Sequence, residues 1–272
     1  MRTGIQLYSL CALDEPLPDL LDRVGDTPFQ GVEFAGLGDA SPDAVAEALS
    51  ANRLAVAGAH VGIDELEAEF DDAVARYRAI GCETVVVPYL PDEAFESADA
   101  VSRTAERLSD LADRLADVGL DLAYHNHDHE FVGLGDDVAS ADDSAASAAD
   151  RAVSPADSGG ETAFERLLAE TDARLSIELD AGWAAAAGHD PVALLDEYGD
   201  RIPIVHLKDV AFEARTPVEL GEGDLDVDAA VDAARRAGVD WIVYEHDDPS
   251  DPAESLAHGA AELSRLVGAD DR

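Results

Sequence analysis

The chain has 272 residues, 47% of them hydrophobic, and sets 60 acidic against 18 basic side chains for a formal net charge of −42. An acidic excess of this size repels nucleic acid and excludes a basic track along DNA or RNA, while the apolar fraction excludes a wholly disordered chain. It suits a halophilic protein in concentrated salt, where screening makes self-repulsion tolerable, and no apolar run is long enough to predict a membrane span.

The first residues, MRTGIQLYSL, lack the long apolar segment and small-residue cleavage site of a secretory signal, so a cytoplasmic location is expected. Within them GIQLYSL (4–10) reads as a strand. Further apolar runs at 30–36, 53–60, 83–90, 120–127, 173–180, 201–209 and 240–247 bring the candidate strands to eight. Helical periods lie between them, at 42–54, 64–80, 94–118, 163–170, 191–198, 227–237 and 253–267. Leu108, Leu111, Leu115 and Val118 make one apolar stripe of the kind an outer helix packs inward. Gly81, Gly119 and Gly238 each close a helical segment just before a strand, as helix C-caps do.

Repetition of βα units over this length predicts an α/β fold, a single-domain (β/α)8 TIM barrel over 1–272. The stretch 135–160, rich in Ala, Ser and Asp and without an aromatic residue, interrupts the pattern as a low-complexity acidic insertion, either a flap over the site or a solvated excursion. Cys11 and Cys82 form no CxxC pair and no disulfide framework, which predicts two free thiols.

In a parallel barrel the chemistry gathers at the C-terminal ends of the strands. Those ends carry Glu33, His60, Tyr89, His125 and His127, Glu178 and Asp180, His206 and Lys208, and Glu245 and Asp247. The strand period of two puts each of the last four pairs on one face. Buried carboxylates and imidazoles are costly alone but satisfy one another around a cation. One divalent cation, Mn²⁺, Co²⁺, Zn²⁺ or Mg²⁺, is therefore expected on His125, Asp180, His206 and Glu245. It would hold adjacent hydroxyl and carbonyl oxygens of a substrate while the proton between them is removed.

Glu245 is the first candidate for the general base and His127 the second. Glu178 either orients His206 or Lys208 or forms a plain ion pair with the lysine. His60 and Glu33 are expected at substrate hydroxyls, with ordinary mouth ion pairs as the alternative; Trp183 either stacks on a sugar ring or packs a loop on the rim. Lys208 is the only lysine in the chain, the other 17 basic residues being arginines. A compact ammonium beside a substrate oxygen is not readily replaced by a planar guanidinium, so Lys208 is expected in the site. GEGDLD (221–226) lacks the context of a dinucleotide fingerprint; its amides could bind a substrate oxygen, or the segment is an Asp-rich turn before the next helix.

YHNHDHEF (124–131), ELDAGW (178–183), VHLKD (205–209), GEGDLD and YEHD (244–247) together resemble the sugar phosphate isomerase/epimerase superfamily of xylose isomerase-like barrels. The resemblance implies metal ligands at the ends of strands five to eight, the last three being Asp180, His206 and Glu245. His125 stands where many epimerases of the superfamily have Glu, and in this the chain is similar to the inosose dehydratase branch.

The expected function is a metal-dependent isomerase or epimerase of a small sugar, keto-sugar, polyol or sugar phosphate, with a keto-polyol dehydratase as the alternative. A non-catalytic sugar-binding barrel and an endonuclease IV-like phosphodiesterase rank below, the latter because the chain lacks a basic DNA track. The expected partners are the small-molecule substrate and, by resemblance, a second copy in a homodimer.

Overall fold

A computed structural model describes residues 1–134 and 160–268. The expected insertion falls almost wholly outside them. Eight parallel strands close into a barrel: β1 (Arg2–Gln6), β2 (Gly31–Phe34), β3 (Ala55–His60), β4 (Thr84–Val87), β5 (Asp121–His125), β6 (Leu175–Asp180), β7 (Ile204–Leu207) and β10 (Trp241–Tyr244). Pairing of β1 with β10, Arg2 opposite Trp241 and Ile5 opposite Tyr244, completes the circle. Between β7 and β10 the chain adds an antiparallel hairpin, β8 (Asp209–Ala211) and β9 (Thr216–Val218), outside the barrel.

Helices α1 (Leu17–Gly25), α2 (Pro42–Asn52), α3 (Ile63–Ala68), α4 (Phe70–Ala79), α5 (Ala98–Asp117), α6 (Ala163–Glu170), α7 (Ala181–Ala186), α8 (Pro191–Tyr198), α9 (Val227–Ala237) and α10 (Pro252–Val267) accompany the strands. The stripe on α5 buries Leu108, Leu111 and Leu115. It belongs to the main core, which also takes in Val85, Leu122 and Ile177 from the strands. Gly119 and Gly238 adopt positive φ, 76° and 79°, where a side chain would be strained.

Three expectations need correction. The first strand ends at Gln6, whose side chain accepts the Tyr8 N–H at 3.1 Å and turns residues 7–13 into a 3₁₀ segment. The helical period at 64–80 is two helices, broken at Glu69 with φ −127° and ψ 34°. The segment 201–209 carries only one barrel strand to Leu207, and its last residue begins the hairpin.

Inside the barrel a small apolar plug of Ala57, Ile204, Trp241 and Val243 sits apart from the main core. On one side of this plug the interior turns polar. The β2–β3 pairing slips by one residue between Val32 and Glu33, so that Val56 faces Val32 but Gly58 faces Glu33. Such a bulge resets the alternation of a strand. It lets His60 point inward although Ala57, three residues earlier, also does. Gly58 is what makes room for Glu33: a Cβ there would lie 2.5 Å from Glu33 Oε1.

Candidate metal centre

Two strand registers set the core of the site. His125 on β5 lies opposite Glu178 on β6, and Asp180 at the end of β6 lies opposite His206 on β7. Asn126 fixes the first pair of elements, its side chain accepting the Asp180 N–H at 3.1 Å and donating to the Asp180 carbonyl at 3.3 Å. Asp180 also caps α7: its Oδ1 accepts the Trp183 N–H at 2.8 Å, which aims Oδ2 into the barrel. That oxygen is buried and makes no hydrogen bond.

His125, Asp180, His206 and Glu245 form one of two clusters, among the described residues, in which every ligand atom lies within 4.8 Å of the others. A divalent ion with bonds of about 2.0–2.2 Å needs donors roughly 3–4 Å apart. His125 Nε2 is 3.8 Å from Asp180 Oδ2, and His206 Nδ1 is 2.8 Å from Glu245 Oε2. Asp180 Oδ2 has the Lys208 ammonium 3.1 Å away, and this buried, mixed N and O donor set fits a divalent cation.

The opposite nitrogens of the two imidazoles face carboxylates. His125 Nδ1 is 2.9 Å from Glu178 Oε2, and His206 Nε2 is 2.5 Å from Glu33 Oε2. Each ligand ring thus has one nitrogen for a cation and one N–H held by a carboxylate, the arrangement that fixes tautomer and orientation in metal sites. His60 Nε2 bridges these carboxylates, 2.8 Å from Glu178 and 3.4 Å from Glu33. Gln6 donates to Glu33 at 3.0 Å. The second cluster, His60, His125, Glu178 and His206, is therefore the underside of the first, sharing two of its histidines.

Burial and neighbouring charges drive these groups apart in proton affinity. Burial raises Asp180 to about 6 against the pull of Lys208. Burial, with His206 and His127 nearby, holds His125 well below the ordinary histidine range. For His206 burial is outweighed by Glu178, Glu245 and Glu33, which hold it well above that range. His60 opposes burial in the same way through Glu33 and Glu178 and rises to about 10. Burial pushes Glu245 up, but Lys208 and His206 pull it well below the usual carboxylate range.

The cluster opens into a cavity of about 450 Å³ lined by His60, His125, His127, Trp183, Lys208 and Glu245, among others. Lys208, 1% exposed, sets its Nζ 3.1 Å from Asp180, 3.0 Å from Glu245 and 2.8 Å from Asp247. It does not pair with Glu178. Its ammonium lies 5.4 Å from the Trp183 ring centre. His127 lines the cavity, with its buried Nδ1 turned to Glu130 at 4.0 Å; burial and Lys208 lower it to about 3.

Residues 21–266 match the family described as the xylose isomerase-like TIM barrel. The chain belongs to that family. This xylose isomerase-like barrel is 34% identical over 126 residues to an inosose dehydratase of Geobacillus kaustophilus, a match that covers 39% of the chain and 40% of the dehydratase. It thus spans less than half the length of that relative. A sugar phosphate isomerase/epimerase from Parabacteroides distasonis superposes with TM-score 0.77 at 20% identity, over 96% of this chain and 93% of the other. A structure of an IolI protein with a bound zinc atom gives 0.77 at 16% identity over 99% of both chains.

In this xylose isomerase-like barrel the strand-end residues read from the sequence gather at one end, but Glu33, Glu178, Asp180 and His206 lie buried and are not among those that line the cavity. Glu33 lies fully buried beneath the cavity, against His206, His60 and Gln6, and is not among the residues that line it. No residue of GEGDLD lines the cavity. The Gly221 and Gly223 N–H groups donate to Asp209 Oδ2 at 2.9 Å each, and those of Val210 and Leu225 to Oδ1 at 2.9 and 3.1 Å. Sequence reasoning missed Tyr8, which lines the cavity from the 3₁₀ segment after β1. It also missed Glu130, buried and holding the loop after β5 through the Tyr124 hydroxyl at 2.5 Å and the His127 N–H at 2.8 Å. Tyr8 sits inside an apolar run that reads as strand; Glu130 carries no local signal, since its partners are set by the loop's path.

Proposed function

We propose that the chain is a divalent-metal-dependent isomerase or epimerase of a small keto-sugar or polyol. The reading is carried by one observation: His125, Asp180, His206 and Glu245 converge at one end of a closed barrel, beside a cavity that His125 and Glu245 line together with His127 and Lys208. A bound cation supplies electrophilic pull on the substrate's carbonyl and hydroxyl oxygens, which acidifies the carbon-bound proton between them.

The side chains do the rest. Glu245, its Oε2 held by His206 and Lys208, stands at the cavity wall as the first candidate proton acceptor. His127 lines the β5 side of the cavity as the second candidate acceptor. Lys208, paired with Asp180, Glu245 and Asp247, holds these carboxylates in place beside the cavity, and Trp183 gives the ring a flat wall. Glu33 and Glu178 act through the imidazoles they hold and do not need to touch substrate.

The 126-residue similarity to an inosose dehydratase favours a second reading, in which the same proton removal expels a β-hydroxyl. One experiment separates the two. The Mn²⁺-loaded protein is incubated in D₂O with a panel of ketohexoses and keto-inositols and followed by proton NMR and ultraviolet absorbance. Deuterium entering beside the carbonyl with a change of stereochemistry or carbonyl position supports the isomerase; an absorbing enone supports the dehydratase. Binding that survives metal removal, with no deuterium uptake, would leave only a sugar-binding barrel.

A further inference from the structure

A second cavity, about 810 Å³, lies beside the metal cavity and shares Tyr8 and Ala35 with it. Its walls come from the 3₁₀ segment after β1, the start of α1 and the loop between β2 and α2, and are largely apolar, Leu7, Leu17, Leu20 and Leu37 among them. Both cavities are of a size that takes whole organic ligands. A free six-carbon sugar has no use for the larger one.

Two of the three large hydrophobic side chains exposed among the described residues line the metal cavity, Tyr8, 48% exposed, and Tyr89, 50% exposed, and Tyr8 lines the second cavity as well. Exposed aromatic rings gathered at a cavity mark a surface that a ligand covers. The charges say what the ligand is not. Glu15 and Asp39 are the ionisable side chains of the second cavity apart from Tyr8 and Cys11, and no Arg, Lys or His lines it. In the metal cavity the sole ammonium, Lys208, is already matched by three carboxylates. A phosphate would find no guanidinium or free ammonium in either chamber.

We propose that the substrate is an unphosphorylated keto-sugar carrying an apolar or aromatic group, a glycoside with its ketone at a ring carbon other than the anomeric one, whose sugar meets the metal cluster and whose aglycone passes Tyr8 into the second cavity. This rests on the sugar-site reading and narrows it.

Cys11 provides the test. It is exposed and lines the second cavity, whereas Cys82, the other cysteine of the chain, is buried with its thiol pushed up to about 12. Alkylation of Cys11 by iodoacetamide is timed with and without Mn²⁺ in the presence of methyl, phenyl and octyl glucosides and galactosides and of glucose 6-phosphate. The phenyl and octyl compounds should protect the thiol at concentrations at least tenfold lower than the methyl glycosides or the phosphate. Ala44→Trp, which fills the cavity from α2, should erase that difference and leave Mn²⁺ affinity unchanged. Equal protection by methyl and octyl compounds, protection by none, or a chain-length effect that survives Ala44→Trp overturns the proposal. Protection that follows chain length but ignores Mn²⁺ would retain the second cavity and remove the metal from sugar recognition.

Discussion

Glu33 shows how a single side chain can be essential to a centre it does not line. Its Oε2 holds the Nε2 of His206, leaving Nδ1 beside Glu245 for a cation. Glu33→Gln should weaken Mn²⁺ binding by about 10- to 100-fold, the range for partners of ligand histidines, in an isothermal titration. Gly58→Ala should act by the same route, because its new Cβ would displace Glu33 Oε1. Protons compete for the same centre. Asp180, raised to about 6 by burial, and His206, held above its ordinary value by Glu178, Glu245 and Glu33, must both be deprotonated to bind. Affinity should therefore rise with pH, about tenfold per unit while one proton is displaced and more steeply below 6; flat binding between pH 5 and 7 would exclude both groups as ligands. The four donors were legible in the sequence because strand ends and a period of two are local facts. The task of Glu33 was not, since it depends on a bulge and on a glycine in the neighbouring strand.

At the scale of elements, one short motif does two jobs because β7 ends between them. In IVHLKD, His206 and Lys208 turn into the barrel, while Asp209 starts the hairpin and accepts four backbone N–H groups from the hairpin and the GEGDLD loop. Gly223 is required by that contact, as a Cβ there would fall 2.1 Å from Asp209 Oδ1. Replacing Asp209 by Asn puts an amide donor against these donors. Charge-assisted hydrogen bonds contribute about 1.5–3 kcal/mol each and are not additive, so Asp209→Asn should cost on the order of 3 kcal/mol in urea unfolding. Exchange of the Gly221 and Gly223 amides should accelerate with it. The eight barrel strands could be read from their apolar runs, and most helices from their period. The hairpin could not, because each arm has three residues and its partner is fixed by Asp209 and by no hydrophobic pattern.

The whole molecule must hold a net charge of −42 in one compact body. Several of its arginines serve as struts between outer helices: Arg107 of α5 reaches Asp64 and Glu67 on α3, Arg236 of α9 reaches Asp196 on α8, and Arg265 of α10 reaches Asp228 on α9. Added salt weakens these pairs, yet exposed pairs are worth only about 0–1 kcal/mol each. It also shortens the reach of every acidic repulsion, from about 10 Å at 0.1 M to about 3 Å at 1 M. The uncompensated acids outnumber the struts, so screening wins and the melting temperature should climb from 0.1 to 1 M KCl. Screening is nearly complete there. A further climb toward 3 M would come from exclusion of salt from the protein surface, which sucrose reproduces without ions. Melting curves in KCl and in sucrose at low salt separate the two contributions: a melting temperature that stays level or falls between 0.1 and 1 M KCl would mean that the acidic surface is not an adaptation to salt.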